Sequence, residues 1–225
     1  MKKSLLLFTF VFGGCSLALA TECPTTTLAV YEASGFSCNI GTSGDITFSG
    51  FGYFPSGSIL IPASDVLVTP ETIGAEQGFQ FNAPWFALPG GLLDTFIDYT
   101  ATCDGCEIDD LALSIAGAGA GTGGLVRVDE TYSAPTPPPS GTLTVGVFGG
   151  TTVLSQGPVT FAPTGSLTVS KDILLAGGTS GLGSAVSSVT NLFSTTTSTV
   201  PEPSLLFLSA GLLGLLPFAR RKFVR

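Results

Sequence analysis

Short stretches of alternating apolar and polar residues occupy most of the chain between Thr21 and Thr199. Turn-forming residues interrupt these stretches, and the 225 residues include 30 Gly and 15 Pro. Alternation with a period of two is typical of strands with one buried face, and the interruptions are typical of turns. No amphipathic helical pattern of ten or more residues occurs in this region. The sequence therefore predicts an all-β fold, an antiparallel β-sandwich.

Individual strands can be assigned from this alternation. Between Asp45 and Tyr53 the apolar residues change face across Ser49 and Gly50, which predicts a β-bulge. Four further strands are indicated by apolar residues at alternating positions: Phe79 and Phe81; Leu93, Ile97, Tyr99 and Ala101; Leu111, Leu113 and Ile115; and Val126 and Val128. Three more strands are predicted at residues 142–148, 159–161 and 166–169.

The composition also suggests how the chain is organised. We expect one domain over residues 21–193, followed by a Ser/Thr-rich tether at 194–200. Residues 133–140 are rich in Pro, and they are either a stiff loop within this domain or a linker with polyproline II character between two domains. We prefer the single domain, because the strands predicted after residue 140 are too few to bury a core alone.

Charge separates the body of the chain from its two ends. The formal net charge is −8, but residues 21–199 contain fifteen acidic residues and only two basic ones, Arg127 and Lys171. An acidic surface repels phosphate backbones, so we expect no nucleic acid partner, whereas neutral sugars and cations are compatible with this charge. An acidic face that only keeps the protein in solution is the favoured interpretation. The chain has no histidine, which excludes Ser-His-Asp and Cys-His nucleophile systems and imidazole metal sites. We expect no enzymatic activity.

The first twenty residues have the parts of a secretory signal peptide. Lys2 and Lys3 form the positive region, an apolar run follows, and Ala18 and Ala20 occupy the cleavage positions. Residues 1–20 are therefore predicted to form a signal helix that is removed before residue 21. Residues 12–15, Phe-Gly-Gly-Cys, also resemble a lipoprotein box, so acylation of Cys15 is an alternative.

The last part of the chain contains a motif, an apolar segment and a basic tail, in that order. The apolar segment predicts a helix at residues 204–219, shorter than the ~20 residues that usually cross a bilayer. Such a helix spans a bilayer by thinning it or by letting flanking Arg and Lys side chains snorkel. The motif is Val200, Pro201, Glu202 and Pro203, and the basic residues of the tail are Arg220, Arg221, Lys222 and Arg225.

These features over residues 201–225 closely resemble the PEP-CTERM sorting signal of Gram-negative bacteria. In that family a membrane protease of the exosortase class cuts near the motif and releases or transfers the protein to the cell exterior. The resemblance implies an exosortase partner, an inner-membrane intermediate that contacts the bilayer through the C-terminal segment, and a final location at the cell surface or outside the cell. A plain membrane anchor is the alternative.

Cysteines follow the signal peptide at four positions: Cys23, Cys38, Cys103 and Cys106. An even number in an exported chain predicts two disulfides, with three connectivities open. We favour Cys23 with Cys38 and Cys103 with Cys106. Asp104 and Gly105 are typical of a type I′ hairpin turn, and directly paired residues that flank such a turn are close enough for a disulfide.

A carbohydrate or cation site would draw on two further sets of residues. The densest acidic cluster consists of Asp104, Glu107, Asp109 and Asp110, and carboxylate oxygens suit Ca2+. An exposed acidic turn is the favoured interpretation of this cluster, and no other cofactor is expected. Trp85 offers a surface for stacking sugars, but a lone Trp is more often part of the core.

A secreted hydrolase would require paired carboxylates, and Asp94, Asp98, Asp109 and Asp110 are the candidates. Solvated strand faces explain these four residues equally well. Residues 119–124 match the G-x-G-x-x-G pattern, but a predicted strand follows them instead of a helix, so we interpret them as a hairpin loop and not as a nucleotide site.

The sequence thus predicts an exported, non-enzymatic cell-surface or extracellular matrix protein, sorted through the exosortase route and associated with exopolysaccharide. A carbohydrate-binding module, assisted or not by Ca2+, is the alternative. A secreted hydrolase that uses paired carboxylates is the second alternative.

Overall fold

The computed structural model describes residues 21–40, 46–135 and 139–197. The predicted signal peptide with Ala18 and Ala20, the motif at residues 200–203 and the basic tail at 220–225 lie outside the described residues. Within the described ranges, no helix combines the length and the apolar character needed to cross a membrane.

Fifteen strands and two short helical turns make up the described residues. The helical turns are α1 (Leu28–Tyr31) and a 3-10 turn (Ala63–Asp65). The strands are β1 (Thr21–Glu22), β2 (Thr26–Thr27), β3 (Ser37–Ile40), β4 (Ile46–Gly57), β5 (Leu67–Ile73), β6 (Glu76–Ala87), β7 (Leu92–Cys103), β8 (Cys106–Ala116), β9 (Gly119–Thr122), β10 (Leu125–Ser133), β11 (Ser140–Phe148), β12 (Thr151–Val153), β13 (Ser155–Thr164), β14 (Ser166–Ala176) and β15 (Ser180–Thr197).

These strands form two sheets, which confirms the predicted β-sandwich. Sheet A has the order β1-β3-β4-β7-β14-β10-β11-β12, and sheet B has the order β13-β8-β15-β6-β5-β2, with β9 also paired to β15. Among the strand pairs of the described residues, only β1 and β3 are parallel. Each sheet contains strands from both halves of the chain.

The alternation in the sequence corresponds to burial in the structure. Along β7, Leu93, Ile97, Tyr99 and Ala101 are buried, while Asp98 and Thr100 are partly exposed. The bulge predicted in β4 is also confirmed, because its register with β7 shifts between Ser49 and Gly52. Helical structure in the described residues is limited to turns of four residues or fewer.

The core lies between the inner faces of the two sheets and is rich in aromatic rings. Tyr99 from sheet A packs against three rings from sheet B. Its ring centroid lies 6.1 Å from that of Phe79, 6.1 Å from that of Phe81 and 6.4 Å from that of Phe193. Trp85 is 1% exposed and belongs to this core. The interpretation of Trp85 as a core residue is therefore confirmed, and a sugar-stacking role for it is excluded.

Both disulfides join the favoured pairs of cysteines, Cys23 with Cys38 and Cys103 with Cys106. The reason given for the second pair is wrong, because β7 and β8 are not hydrogen-bonded partners but belong to opposite sheets. Asp104 also lacks the positive φ that a type I′ turn requires, and only Gly105 has it, at 80°. This turn is a corner between the two sheets, and the disulfide closes it with a Cα–Cα distance of 5.2 Å.

Two segments expected to be irregular form strands instead. Residues 119–122 of the glycine-rich stretch form β9, which pairs with β15 rather than remaining a loop. The first four residues of the predicted tether, 194–197, continue β15 and pair with β8. Thr is a good strand former, and these residues pair with β8, so this part of the Ser/Thr-rich segment belongs to the sheet instead of forming a spacer.

The Pro-rich stretch connects two neighbouring strands of one sheet. β10 and β11 pair antiparallel from Val126 with Val147 as far as Ser133 with Ser140. The amide of Ala134 donates a hydrogen bond to the carbonyl oxygen of Pro139 at 3.0 Å. The two ends of the stretch are therefore held together where β10 ends and β11 begins.

Candidate functional site

The outer face of sheet A carries rows of polar and aromatic side chains in register across four strands. Successive residues of a strand point to opposite faces, so the rows alternate with buried residues such as Ile97 and Lys171. Each row contains one residue from each strand, in the order β7, β14, β10 and β11. The central row is Phe96, Asp172, Asp129 and Thr144. The row on one side is Asp98, Ser170, Thr131 and Thr142, and the row on the other side is Asp94, Leu174, Arg127 and Gly146.

These rows line an open groove of about 600 Å3, a volume in the range of small-molecule sites in proteins. We call it the sheet A groove. Hydroxyl and carboxyl groups line its floor, and aromatic or aliphatic side chains lie at its ends. Its lining consists of Phe96, Leu125, Arg127, Asp129, Thr131, Thr142, Thr144, Phe148, Ser170 and Asp172.

Two phenylalanine rings extend the groove toward β4. Phe54 on β4 is the direct cross-strand partner of Phe96 on β7, and their side chains are 60% and 37% exposed. The Phe54 ring leans over Gly52, since a Cβ added to that glycine would lie 3.1 Å from Cε2 of the ring. The glycine therefore leaves room for an apolar platform beside the polar floor.

Arg127 and Asp129 form the charged centre on β10. Nη2 of Arg127 lies 2.5 Å from Oδ2 of Asp129, and the hydroxyl of Thr144 donates to Oδ1 of the same carboxylate at 2.7 Å. Both carboxylate oxygens of Asp129 are therefore held in fixed positions. Nε of Arg127 is buried and has no hydrogen-bond partner among the described residues.

A pair of carboxyl groups lies next to this centre. Asp172 on β14 and Asp94 on β7 are in hydrogen-bond contact, and burial together with the charge of Asp94 raises the pKa of Asp172 to about 6. One oxygen of each carboxyl group is buried without a partner among the described residues. Buried polar groups are nearly always hydrogen-bonded, so the hydrogen-bonding capacity of these two oxygens is unused in the described structure.

The four acidic residues that were the alternative candidates for a calcium site are not brought together. Asp104 lies in the sheet-to-sheet corner while Glu107, Asp109 and Asp110 lie on β8, and within the described residues no three acidic, Cys or His side chains are grouped so as to hold a metal ion. Asp109 is the extra residue of a bulge where β8 pairs with β15, and the carboxylate of Asp110 accepts a hydrogen bond from the amide of Ser194 at 3.1 Å. The carboxylate of Asp110 therefore supports the pairing of β8 with β15.

The carboxylates proposed for a hydrolase also separate into two sets. Asp94 and Asp98 lie on β7 in sheet A, and Asp109 and Asp110 lie on β8 in sheet B. Asp94 instead meets Asp172. Two carboxyl groups in hydrogen-bond contact are closer than the separations of about 5 to 5.5 Å in retaining glycosidases and about 6.5 to 9.5 Å in inverting ones.

Sequence reasoning identified Asp94 and Asp98 as residues of an outer strand face but missed the partners that complete the groove. Phe96, Asp129 and Asp172 come from three strands, and Asp94 is separated from Asp172 by 78 positions in the chain. The available signal was local: polar residues occupy alternate positions of β10 and β14, opposite to their buried residues. That signal indicates an outer face but not which strands are neighbours.

Comparison with known proteins gives no family for this chain: no family model matches it, and no curated protein matches it. Among solved structures, the carbohydrate-binding module TmCBM61 in complex with β-1,4-galactotriose is similar over 65% of this chain and 88% of its own, with 10% identity and a TM-score of 0.30. The enzymatically active domain of bacteriophage CBA120 tailspike protein 4 is similar over 66% of this chain and 20% of its own, with 10% identity and a TM-score of 0.30. Neither likeness carries an argument about function.

Proposed function

We propose that this chain is an exported, non-enzymatic surface or matrix protein that binds a neutral polysaccharide in the sheet A groove. The observation that carries the proposal is the row formed by Phe96, Asp172, Asp129 and Thr144, in which an exposed ring lies beside fixed carboxyl and hydroxyl groups. Sugars present apolar faces that pack on aromatic rings and hydroxyl groups that pair with carboxylates.

The charge of the body supports a neutral ligand. Residues 21–199 carry a formal charge of −13, and the groove contains only one basic side chain, that of Arg127, already paired with Asp129. A polyanionic chain would be repelled. The two disulfides agree with an oxidising, extracytoplasmic location.

Calorimetric titration of the exported body with a panel of soluble polysaccharides tests this proposal. We expect binding heat with at least one neutral polysaccharide and none with polyanionic ones. The absence of heat with every neutral polysaccharide would contradict the proposal.

The route to the surface is a second, separable part of the proposal. We propose that the segment at residues 201–225 is an exosortase signal that is cut near Glu202, on the basis of the motif, apolar segment and basic tail described above. Replacing Pro201, Glu202 and Pro203 by Ala and fractionating the cells tests it. Retention of the uncut chain in the membrane fraction is expected, and unchanged processing and release would contradict it.

A further inference from the structure

Four polar side chains lie in the middle of the aromatic core, away from the sheet A groove. Glu130, Lys171 and Asn191 have no exposed surface, and Tyr99 is 1% exposed. Glu130 on β10 and Lys171 on β14 are direct cross-strand partners in sheet A, whereas Asn191 is on β15 in sheet B. The group therefore bridges the two sheets. Burying charged and amide groups is costly, which makes their arrangement informative.

Hydrogen bonds connect the four side chains into one network, with Lys171 and Asn191 at its centre. Nζ of Lys171 contacts a carboxylate oxygen of Glu130 and lies 2.9 Å from Oδ1 of Asn191 and 3.1 Å from the hydroxyl oxygen of Tyr99. The amide nitrogen Nδ2 of Asn191 donates to the other oxygen of Glu130 at 2.9 Å and to the carbonyl oxygen of Ala112 at 3.0 Å. The hydroxyl of Tyr99 donates to Oδ1 of Asn191.

This geometry places an amine against an amide carbonyl with a carboxyl group touching both nitrogens. Cγ of Asn191 is one covalent bond from the oxygen that Nζ contacts, so the amine is beside the carbon that a nucleophile would attack. The surrounding rings exclude water, since Nζ lies 4.9 Å from the centroid of Tyr99 and 6.0 Å from that of Phe81. Reacting groups held in contact without competing water have a large kinetic advantage.

Burial also favours the uncharged forms of the two ionisable partners. Loss of hydration lowers the pKa of Lys171, although the carboxylate of Glu130 opposes this shift, and it raises the pKa of Glu130, although Lys171 and Asn191 oppose it. A neutral amine is a nucleophile, and a protonated carboxyl group is a proton donor. Burial and the charge of Glu130 raise the pKa of Tyr99, so its hydroxyl keeps the proton that it donates to Asn191.

We propose that Lys171 and Asn191 form an intramolecular isopeptide bond with release of ammonia, in a reaction catalysed by Glu130. The bond joins β14 of sheet A to β15 of sheet B and is independent of the proposed polysaccharide binding.

The reaction balances without any further reagent. The lone pair of Nζ forms a bond to Cγ of Asn191, and the carbonyl electrons move to Oδ1, where the hydroxyl of Tyr99 stabilises the developing charge. Glu130 donates its proton to Nδ2 and takes one from Nζ. The bond between Cγ and Nδ2 then breaks, ammonia leaves and the carbonyl re-forms. A primary amine and a primary amide thus become a secondary amide and ammonia, and Glu130 is protonated again.

The position of the bond explains what it contributes. β15 is the last strand of the described body and precedes the segment proposed to pass through the sorting pathway. A pull on the C-terminal end acts first on β15, which hydrogen bonds alone connect to β6 and β8. A covalent link from β15 to the centre of sheet A transfers that load across the core.

Tryptic digestion of the full chain after denaturation and disulfide reduction tests the proposal. Trypsin does not cut after an acylated lysine, so we expect the peptide that begins at Val128 to continue past Lys171. Its mass should be lower than the mass calculated from its sequence by one ammonia molecule. In the Glu130→Gln and Asn191→Ala variants, we expect cleavage after Lys171 and unmodified masses.

If a variant fails to fold, the digest of the wild type still decides. Cleavage after Lys171 with unmodified masses in the wild type would overturn the proposal, and a cross-link that persists in Glu130→Gln would overturn the role of Glu130.

Discussion

Asp172 is the direct cross-strand partner of Asp129, so two carboxyl groups stand side by side at the centre of the sheet A groove. They are not equivalent. Asp129 is held by Arg127 and Thr144, whereas Asp172 faces the carboxyl group of Asp94, and its pKa is raised to about 6. Like charges opposite one another destabilise a sheet, and this arrangement keeps a polar groove open at a cost in stability.

Replacing Asp172 by Asn should therefore stabilise the fold in a pH-dependent manner. A raised pKa means that the folded state favours the protonated acid, so the destabilisation by Asp172 is absent below about pH 4 and develops as the pH rises through about 6. At about pH 7.5 we expect Asp172→Asn to unfold with a free energy about 1 kcal/mol higher than the wild type, a value reduced for the partial exposure of the group. Urea unfolding of the wild type and the variant at about pH 4 and about pH 7.5 measures this difference. An equal difference in unfolding free energy at the two pH values would contradict the explanation.

Arg127 should influence the titration of Asp172 from the neighbouring strand. The charge of Arg127 opposes the rise in the pKa of that carboxyl group. The pKa of Asp172 should therefore be higher in the Arg127→Gln variant than in the wild type. NMR titration of the carboxyl carbons measures this shift. A pKa that stays unchanged or falls would show that the guanidinium group does not act on Asp172.

The two disulfides should differ in their contribution to stability because they close loops of different length. The sequence separation is 15 for Cys23 and Cys38 but 3 for Cys103 and Cys106. The loss of denatured-state entropy predicts a cost of about 3 kcal/mol for replacing the first pair by Ser and about 2 kcal/mol for the second. Denaturant unfolding of the two double variants tests the order, and a larger cost for the second pair would contradict it.

Gly78 on β6 should tolerate no side chain. A Cβ at this position would lie 1.9 Å from the carbonyl oxygen of Asn191, so Gly78→Ala forces β6 and β15 apart. We expect the free energy of unfolding to fall by roughly 3 kcal/mol, at the upper end of the range for overpacked sites. Gly119→Ala is the matched control, since a Cβ there meets no atom within 4 Å. Melting temperatures of the two variants measure the contrast, and similar values would contradict it.

Local pattern was sufficient to predict individual strands and their buried faces. The alternation around Ile97 and Tyr99 and the change of face at Gly50 are properties of a few adjacent residues, and the structure has them where the sequence places them. Strand neighbours depend on the packing of the whole chain. Asp104 and Gly105 have the composition of a hairpin turn, yet they connect opposite sheets.

The same limit applies to the sites. The sequence shows Lys171 as one of two basic residues in the body, but its meeting with Asn191 depends on β14 and β15 lying in different sheets. The calcium alternative has no support in the described residues for a related reason, because residues close in sequence diverge at the corner and the bulge of β8. Proximity along the chain is a poor guide to proximity across a sandwich.

Phe96 provides the most direct test of polysaccharide binding in the sheet A groove. Phe86 is the matched control, because it is 36% exposed against 37% for Phe96 but lies on β6 in the other sheet. For the neutral polysaccharide that gives the largest heat, calorimetric titration should show Phe96→Ala with an affinity lower by roughly tenfold, about 1.4 kcal/mol, and Phe86→Ala with that of the wild type. Unchanged affinity in Phe96→Ala, or an equal loss in both variants, would contradict binding in this groove.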